Sequence, residues 1–221
     1  MRQSKVHAAV HRVRMIGRSG VNRMSCRRSV RGRGHVIVAS GAVLRNVRIS
    51  VRGSGHRIQI EPQARLSDLV IDIVGSGHRL LIGADVRIHA ASMNFYDDGC
   101  TISIGDRTSI YEATFGIMEG GRISIGEECL IASQVDLRNG DSHSILDVAT
   151  GDRLNPSADI VIGDHVWIGA RAMMLKGSRV AADSVVAAGA IVTGTFPEGS
   201  VVAGVPARVV ADGVTWRPER L

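Results

Sequence analysis

Aromatic rings are scarce in this 221-residue chain: three Phe, two Tyr and two Trp make up 3% of it, against 44% hydrophobic residues overall. With so few large side chains the apolar content must come from Val, Ile and Leu, which suits a narrow interior better than a broad one. No apolar run approaches the roughly 18 residues that span a bilayer as a helix. The three cysteines, Cys26, Cys100 and Cys129, are odd in number and lack the paired spacing of zinc sites. That argues against a disulfide framework and leads us to expect reduced thiols in a cytoplasmic setting, with no metal. Acidic residues are missing altogether before Glu61, although the whole chain carries a net charge of only +6. One reading of this imbalance is a basic surface for a membrane leaflet, a nucleic acid or an acidic glycan. The plainer reading, adopted here, is a short basic arm over residues 1–34, or an extension from an upstream start with Met15 and Met24 as alternatives. Organelle transit peptides share this composition. The arm shows weak helical spacing at Val6, Val10 and Val13. It is expected to reach a membrane only peripherally and to bind no nucleic acid.

What the chain has in abundance is a period of six. Between Ile162 and Pro197 an aliphatic or Met residue recurs at Ile162, Ile168, Met174, Val180, Val186 and Val192, and the fifth member of each group is Val166, Ala172, Ser178, Ser184, Ala190 and then Phe196, where the repeat is expected to end. A helix would need spacings near 3.6 and a two-faced strand a spacing of two, so neither explains it. Together these positions resemble the hexapeptide repeat of a β-helix, and the resemblance implies that three hexads make one triangular coil, with each opening residue pointing inward from one flat side. Ile162 should then stack on Val180, Ile168 on Val186 and Met174 on Val192.

Upstream the same frame continues with a longer step. Val38, Ile60, Ile82, Ile104 and Ile125 take equivalent positions, each coil holding three or four residues beyond eighteen. The extra residues fall at one place, GSGH at 53–56 and 75–78, DDGC at 97–100 and EGG at 119–121, where glycine suits tight excursions. The next step, from Ile125 to Ile162, is long enough for one coil plus a protruding loop over residues 139–159; such a loop inside a compact repeat is usually functional. Pro197 and Pro206 fit the place where the ladder must stop. About seven coils are expected over residues 35–210, near 33 Å in length at about 4.8 Å each, followed by a polar tail at 211–221.

The hexads resemble the repeat of a left-handed parallel β-helix, an all-β fold whose handedness the period alone leaves open. From Leu130 to Val210 the motifs DSHSI at 141–145, RLNP at 153–156, DIVIGDHVWIGARAMMLKG at 159–177, VVAAGAIVT at 185–193 and VVAGVPARVV at 201–210 resemble the hexapeptide acyltransferases. Within these the chain is most similar to the polysaccharide and capsule O-acetyltransferases and to the galactoside and maltose acetyltransferases. The resemblance implies an acetyl-CoA-dependent O-acetyltransferase acting on a sugar or glycan hydroxyl, with the coenzyme A thioester bound between neighbouring subunits of a homotrimer. It implies that His143 is the general base, a role for which an imidazole titrating near 6.5 is chemically suited. Asp141 either orients His143 or makes an Asx turn. The same resemblance puts Trp167 beside the acyl and pantetheine arm and the Ala170 N–H at the thioester carbonyl. Ala188, Thr193 and Gly194 fall along the arm and nucleotide, and Arg208 near the phosphates.

The chain departs from that pattern at Gly194, where a Lys is frequent, and at Ala211, where a second basic residue would stand. The acceptor-side Asn of the galactoside enzymes aligns with Glu112 or Thr114. His165 reads as a solvated turn residue, and His56 and His78 as polar residues on stacked bulges. Rival readings are a γ-class carbonic anhydrase needing three metal-binding histidines, a non-catalytic β-helix scaffold, and N-acetylation of an amino sugar.

Overall fold

A computed structural model describes residues 26–220. The first 25 residues, with the weak helical stretch, the alternative starts and the membrane contact expected of the arm, lie outside the described residues. Every described element is a strand, and the chain is a left-handed parallel β-helix. Three flat faces alternate. The first holds eight strands in parallel order, Val36–Val38, Arg57–Ile60, Arg79–Ile82, Thr101–Ile104, Arg122–Ile125, Ile160–Ile162, Arg179–Val180 and Thr195–Phe196. Trp167–Ile168 and Val185–Val186 lie on the second face, and Val135–Arg138, Met173–Leu175 and Ile191–Val192 on the third.

The hexad frame predicts the core. Ile162 pairs with Val180, Ile168 with Val186 and Met174 with Val192, and all six are buried. Ile60, Ile82, Ile104, Ile125 and Ile162 form one continuous column. Period six works because each face contributes one inward side chain per hexad, so the column buries apolar surface without interruption.

Three expectations need correction. Val38 pairs with Gln59 and Ile37 with Ile58, so Ile37 points inward in the Ile58 column, Ala39 and not Val38 falls in line with Ile60, and the frame of the first coil is offset by one. Phe196 does not close a hexad; it pairs with Val180 and opens an eighth turn, because that coil is two residues short. Strand order begins at Cys26, before the expected boundary at His35: Cys26–Arg33 pairs in parallel with Val47–Ser54. The reason is GRGH at 32–35, which repeats GSGH in register, Gly32 on Gly53 on Gly75. These three glycines have φ of +120°, +128° and +120°, and a Cβ on any of them would lie 1.5–1.7 Å from the carbonyl oxygen of the next coil, so only glycine fits.

The histidines of that edge stack as expected, and they do so inside the prism. His56 and His78 are buried, and the rings of His35, His56 and His78 stack at 5.0 and 5.1 Å before meeting Phe95. The excursions widen the prism at this corner enough to admit rings. Each imidazole acts as a spacer between coils: His56 Nδ1 accepts the His78 N–H at 3.2 Å, and His78 Nδ1 accepts the Cys100 N–H at 3.0 Å. Accepting at Nδ1 requires the neutral ring, and burial pushes the His56 pKa below its ordinary value.

Corners between the first and second faces carry non-glycine residues with left-handed φ, including Glu128, His165 and Asp183 at +55°, +53° and +58°. After Val201–Gly204 the chain reverses into an antiparallel strand, Ala207–Ala211. The tail beyond it folds back onto the helix, where Val214 N–H reaches the Gly199 carbonyl.

Candidate active site

The long loop leaves after Arg138 and returns at Ile160, at the corner that carries the small glycine excursions elsewhere. Its root is fixed by Asn139, which is fully buried. The amide accepts the Met118 N–H at 2.8 Å and donates to the Met118 carbonyl at 3.0 Å, while the Asn139 carbonyl takes the Ala158 N–H. Asn139 fits only because its neighbour is Gly121, whose Cβ would lie 2.1 Å from the amide nitrogen.

Inside the loop Asn155 is the organiser. It is 6% exposed, its Oδ1 accepts the Ile145 N–H at 2.6 Å, and its Nδ2 donates to the His143 carbonyl at 2.9 Å and to Asp141 Oδ2 at 2.7 Å. In the sequence Asn155 stands out only as part of RLNP; a side chain reaching back 10 to 14 residues leaves no periodic trace. Two charged pairs lash the loop to the coils. Arg153 meets Glu119 at 2.6 Å and Glu119 also takes the Ser157 N–H, while Lys176 from the next coil meets Asp141 at 2.6 Å. The Arg153 guanidinium and the Ser157 N–H hold the Glu119 carboxyl below its usual range, and Lys176 and then Asn155 do the same for Asp141.

Both bonds to Asp141 come from Lys176 and Asn155, and the Asp141 carboxylate makes no hydrogen bond to His143 among the described residues. Neither of the two roles open to it, orienting the imidazole or closing an Asx turn, is seen among the described residues; Asp141 ties the side chains of Lys176 and Asn155 together instead. His143 itself is exposed and opens on a cleft of about 640 Å³ whose lining includes Asn94, Tyr96, Thr114, Met118 and Arg138. Thr114 is thus on the cleft and Glu112 is not. Arg138 Nε is paired with Asp136 at 2.8 Å. Among the described residues no three His, Cys, Asp or Glu side chains gather as a metal-ion set.

The donor candidates do not line this cleft. Trp167 stands outward on the second face, 40% exposed. Ala170 occupies the next corner, where Gly169 N–H bonds to Val186 O, Arg171 N–H to Ser133 O, and Gly189 N–H to Ala170 O; none of these uses the Ala170 N–H. Gly169 lets the coils meet, since its Cβ would lie 2.5 Å from Ala188 N. Ala188 is exposed beside this corner, Thr193 and Gly194 follow Ile191–Val192 at the far edge of the third face, and Arg208 is exposed on the terminal hairpin. In one chain, then, the His143 loop leaves from one edge of the third face, and Trp167, Ala170 and Ala188 lie at its opposite edge. His165 is no solvated turn: its ring stacks on Trp216 at 4.6 Å and its Nδ1 meets Asp183 at 2.8 Å.

Residues 159–194 match the family model described as bacterial transferase hexapeptide (six repeats). Over these residues the chain carries the hexapeptide repeat of that family. Over 61 residues it is 44% identical to the polysialic acid O-acetyltransferase of Neisseria meningitidis, a stretch covering 28% of each chain. Over 94 residues it is 33% identical to the polysialic acid O-acetyltransferase of Escherichia coli O1:K1 / APEC, covering 42% of this chain and 31% of that one. These alignments span less than a third of either relative's length. The structural likeness extends further. A crystal structure of a polySia-specific acetyltransferase matches 89% of both chains with a TM-score of 0.75 at 28% identity. That of a polysialic acid O-acetyltransferase matches 89% of this chain and 92% of its own with a TM-score of 0.81 at 26% identity.

Proposed function

We propose that this protein is an acetyl-CoA-dependent O-acetyltransferase that acts on a hydroxyl of a sugar in a surface polysaccharide, working as a homotrimer in a reducing, cytoplasmic setting. The observation that carries the reading is an exposed histidine on a loop that is itself rigidly lashed, opening on a cleft wide enough for a sugar residue, in a chain whose fold and local sequence are similar to polysialic acid O-acetyltransferases.

The thioester supplies an acyl carbon open to attack. His143 removes the proton of the acceptor hydroxyl as its oxygen bonds to that carbon, and returns the proton to the sulfur as the carbon–sulfur bond breaks. The products are the acetyl ester and free thiol. The Ala170 N–H would supply a hydrogen bond to the negative charge developing on the carbonyl oxygen, at no cost in side-chain order. Trp167 would flank the acyl and pantetheine arm, with Ala188, Thr193 and Gly194 further along it and Arg208 near the phosphates. Arg138 lines the acceptor cleft with its Nε held by Asp136, which leaves its other guanidinium N–H groups for acceptor oxygens.

The separation of these groups supports a site shared between subunits, which the homotrimer would supply. Because His143 and the Trp167 corner lie at opposite edges of one face, the thioester and the base come together only if one subunit's loop meets its neighbour's second face. The loop also presents Ile145, Leu146, Val148 and Leu154, each more than half exposed in the single chain, as apolar cover for such a neighbour. The test is acetyl transfer from acetyl-CoA to a sialic acid polymer and to neutral oligosaccharides, read as thiol release with His143→Ala as the control. A positioned base contributes roughly 10²–10⁴-fold, so that variant should lose activity by about this factor. Turnover undiminished in His143→Ala, or none in the native protein with any of these acceptors, would remove the assignment.

A further inference from the structure

The C-terminal tail runs back along the corner between the first and second faces and is fastened to three successive coils, one residue to each. Val214 N–H bonds to the Gly199 carbonyl at 2.9 Å, Thr215 Oγ1 to Asp183 Oδ1 at 3.2 Å, and Trp216 Nε1 to the His165 carbonyl at 2.7 Å. Gly199, Asp183 and His165 are equivalent corner residues, all with left-handed φ. Left-handed corners turn their side chains and carbonyls outward at regular intervals, and an extended segment can follow them as a strap. Asp183 holds the strap and the imidazole together: it takes His165 Nδ1 at 2.8 Å as well as the Thr215 hydroxyl, and these two bonds, His165 first, keep its carboxyl below the usual range.

The strap delivers one large side chain. Trp216 lies face to face with His165, with ring centroids 4.6 Å apart and planes 10° from parallel, and its indole meets that of Trp167 at 6.0 Å and 45°. A plain clamp for the last coils would need only backbone and small side chains. An indole laid beside the outward ring of Trp167 instead makes a half-exposed aromatic wall on the second face. Polar links at Thr215 and Asp183 then fix its height along the helix.

We propose that Trp216 is a positioning residue of the donor groove: the tail strap holds its indole against Trp167 and sets the face that Trp167 presents to the pantetheine arm of the acyl donor. This rests on the donor-site reading above. Losing one aromatic contact is expected to weaken donor binding about three- to tenfold. Trp216→Leu, which keeps apolar bulk without a ring, should therefore raise the KM for acetyl-CoA by about that factor and leave kcat within about twofold, while Trp216→Phe should stay near the native KM. The chain has two tryptophans, so Trp216→Phe leaves Trp167 as its one indole, and titration with coenzyme A should change the emission of that variant. A role confined to stability would lower the melting temperature of Trp216→Leu but leave its KM and the Trp167 response to coenzyme A unmoved, and that result overturns the proposal. The donor-site reading fails differently: the native protein would then show neither acetyl-CoA turnover nor any fluorescence response to coenzyme A.

Discussion

Replacing Asn155 by Ala should disable the loop while sparing the β-helix. The amide makes two neutral hydrogen bonds, to the Ile145 N–H and the His143 carbonyl, and one to the Asp141 carboxylate. Neutral bonds contribute about 0.5–1.5 kcal/mol each and bonds to charged groups about 1.5–3 kcal/mol. These three together are worth about 2.5–6 kcal/mol, beside a longer bond from Arg153 Nε to the same Oδ1 at 3.4 Å. Ile145, His143 and Asp141 are exposed, so water replaces part of what is lost, and about 2–3 kcal/mol against the ordered loop is the expected net effect. That shifts the equilibrium between the ordered and open loop by about 30- to 150-fold. Turnover should fall by at least tenfold, because only the ordered form presents His143. The donor Kd should hold, since Trp167, Ala170 and Ala188 are anchored in the coils, and the melting of the β-helix should hardly move. Asn155→Asp would keep the acceptor for Ile145 but lose both donated bonds and set a second carboxylate against Asp141, so it should be no better. Steady-state kinetics with a calorimetric donor titration reads all of this. A kcat within twofold of native in Asn155→Ala would show that the loop does not depend on this amide for its working shape.

Ile168 is fully buried between Ile131 and Val186; Ile168→Asp forfeits roughly 1.5–3 kcal/mol of burial and adds an unpaired buried carboxylate, so the C-terminal coils should unfold, and an unchanged melting curve would contradict the hexad frame. His56 is held below the ordinary 6.5 of an imidazole by burial, so the unfolded chain takes up the proton first: stability should be full above about pH 6.5 and decline as the pH falls toward the folded value. Melting temperatures that do not drop between pH 7.5 and pH 5 would refute the neutral ladder. Light scattering should give about 70 kDa, three times the 23.5 kDa chain, and a monomer would leave His143 and the donor corner without a common site.

Legibility in the sequence followed the repeat. Where a coil is eighteen residues plus a fixed excursion, an inward residue and its stacking partner can be named from spacing alone, as with Ile82, Ile104 and Ile125. The frame slipped where local chemistry offered two equivalent choices. Ile37 and Val38 are adjacent aliphatics, and only pairing with Ile58 decides between them. The GRGH excursion was hidden by its basic surroundings, although its two glycines stand as in GSGH. The bounds of the long loop were legible because it breaks the period, but its interior was not. Asn155, Arg153 and Lys176 act through contacts 14, 34 and 35 residues away, distances set by how the loop folds and not by any repeat. For the same reason Asp141 next to His143 in sequence suggested a bond that the folded loop gives to Lys176.

The loop's position on the solenoid has a physical reason. At the corner between the third and first faces the chain already departs from the minimal coil, so lengthening an excursion there disturbs no inward side chain. Closing a longer loop costs little more than closing a short one, about 0.6 kcal/mol per doubling of length. The column from Ile125 to Ile162 remains unbroken across the insertion. A loop that is cheap to insert is also free to wander, and the base proposed at His143 must be placed to within a fraction of an ångström. The two demands are met by separate residues. Asn139 against Gly121 fixes the root, Glu119 holds Arg153 and Ser157 on one flank, and Lys176 holds Asp141 on the other. Asn155 joins these anchors to the backbone of His143 itself. His143 is thus tied to three successive coils while its ring stays free to face an acceptor, a division of labour that a histidine on a flat face of the prism could not have.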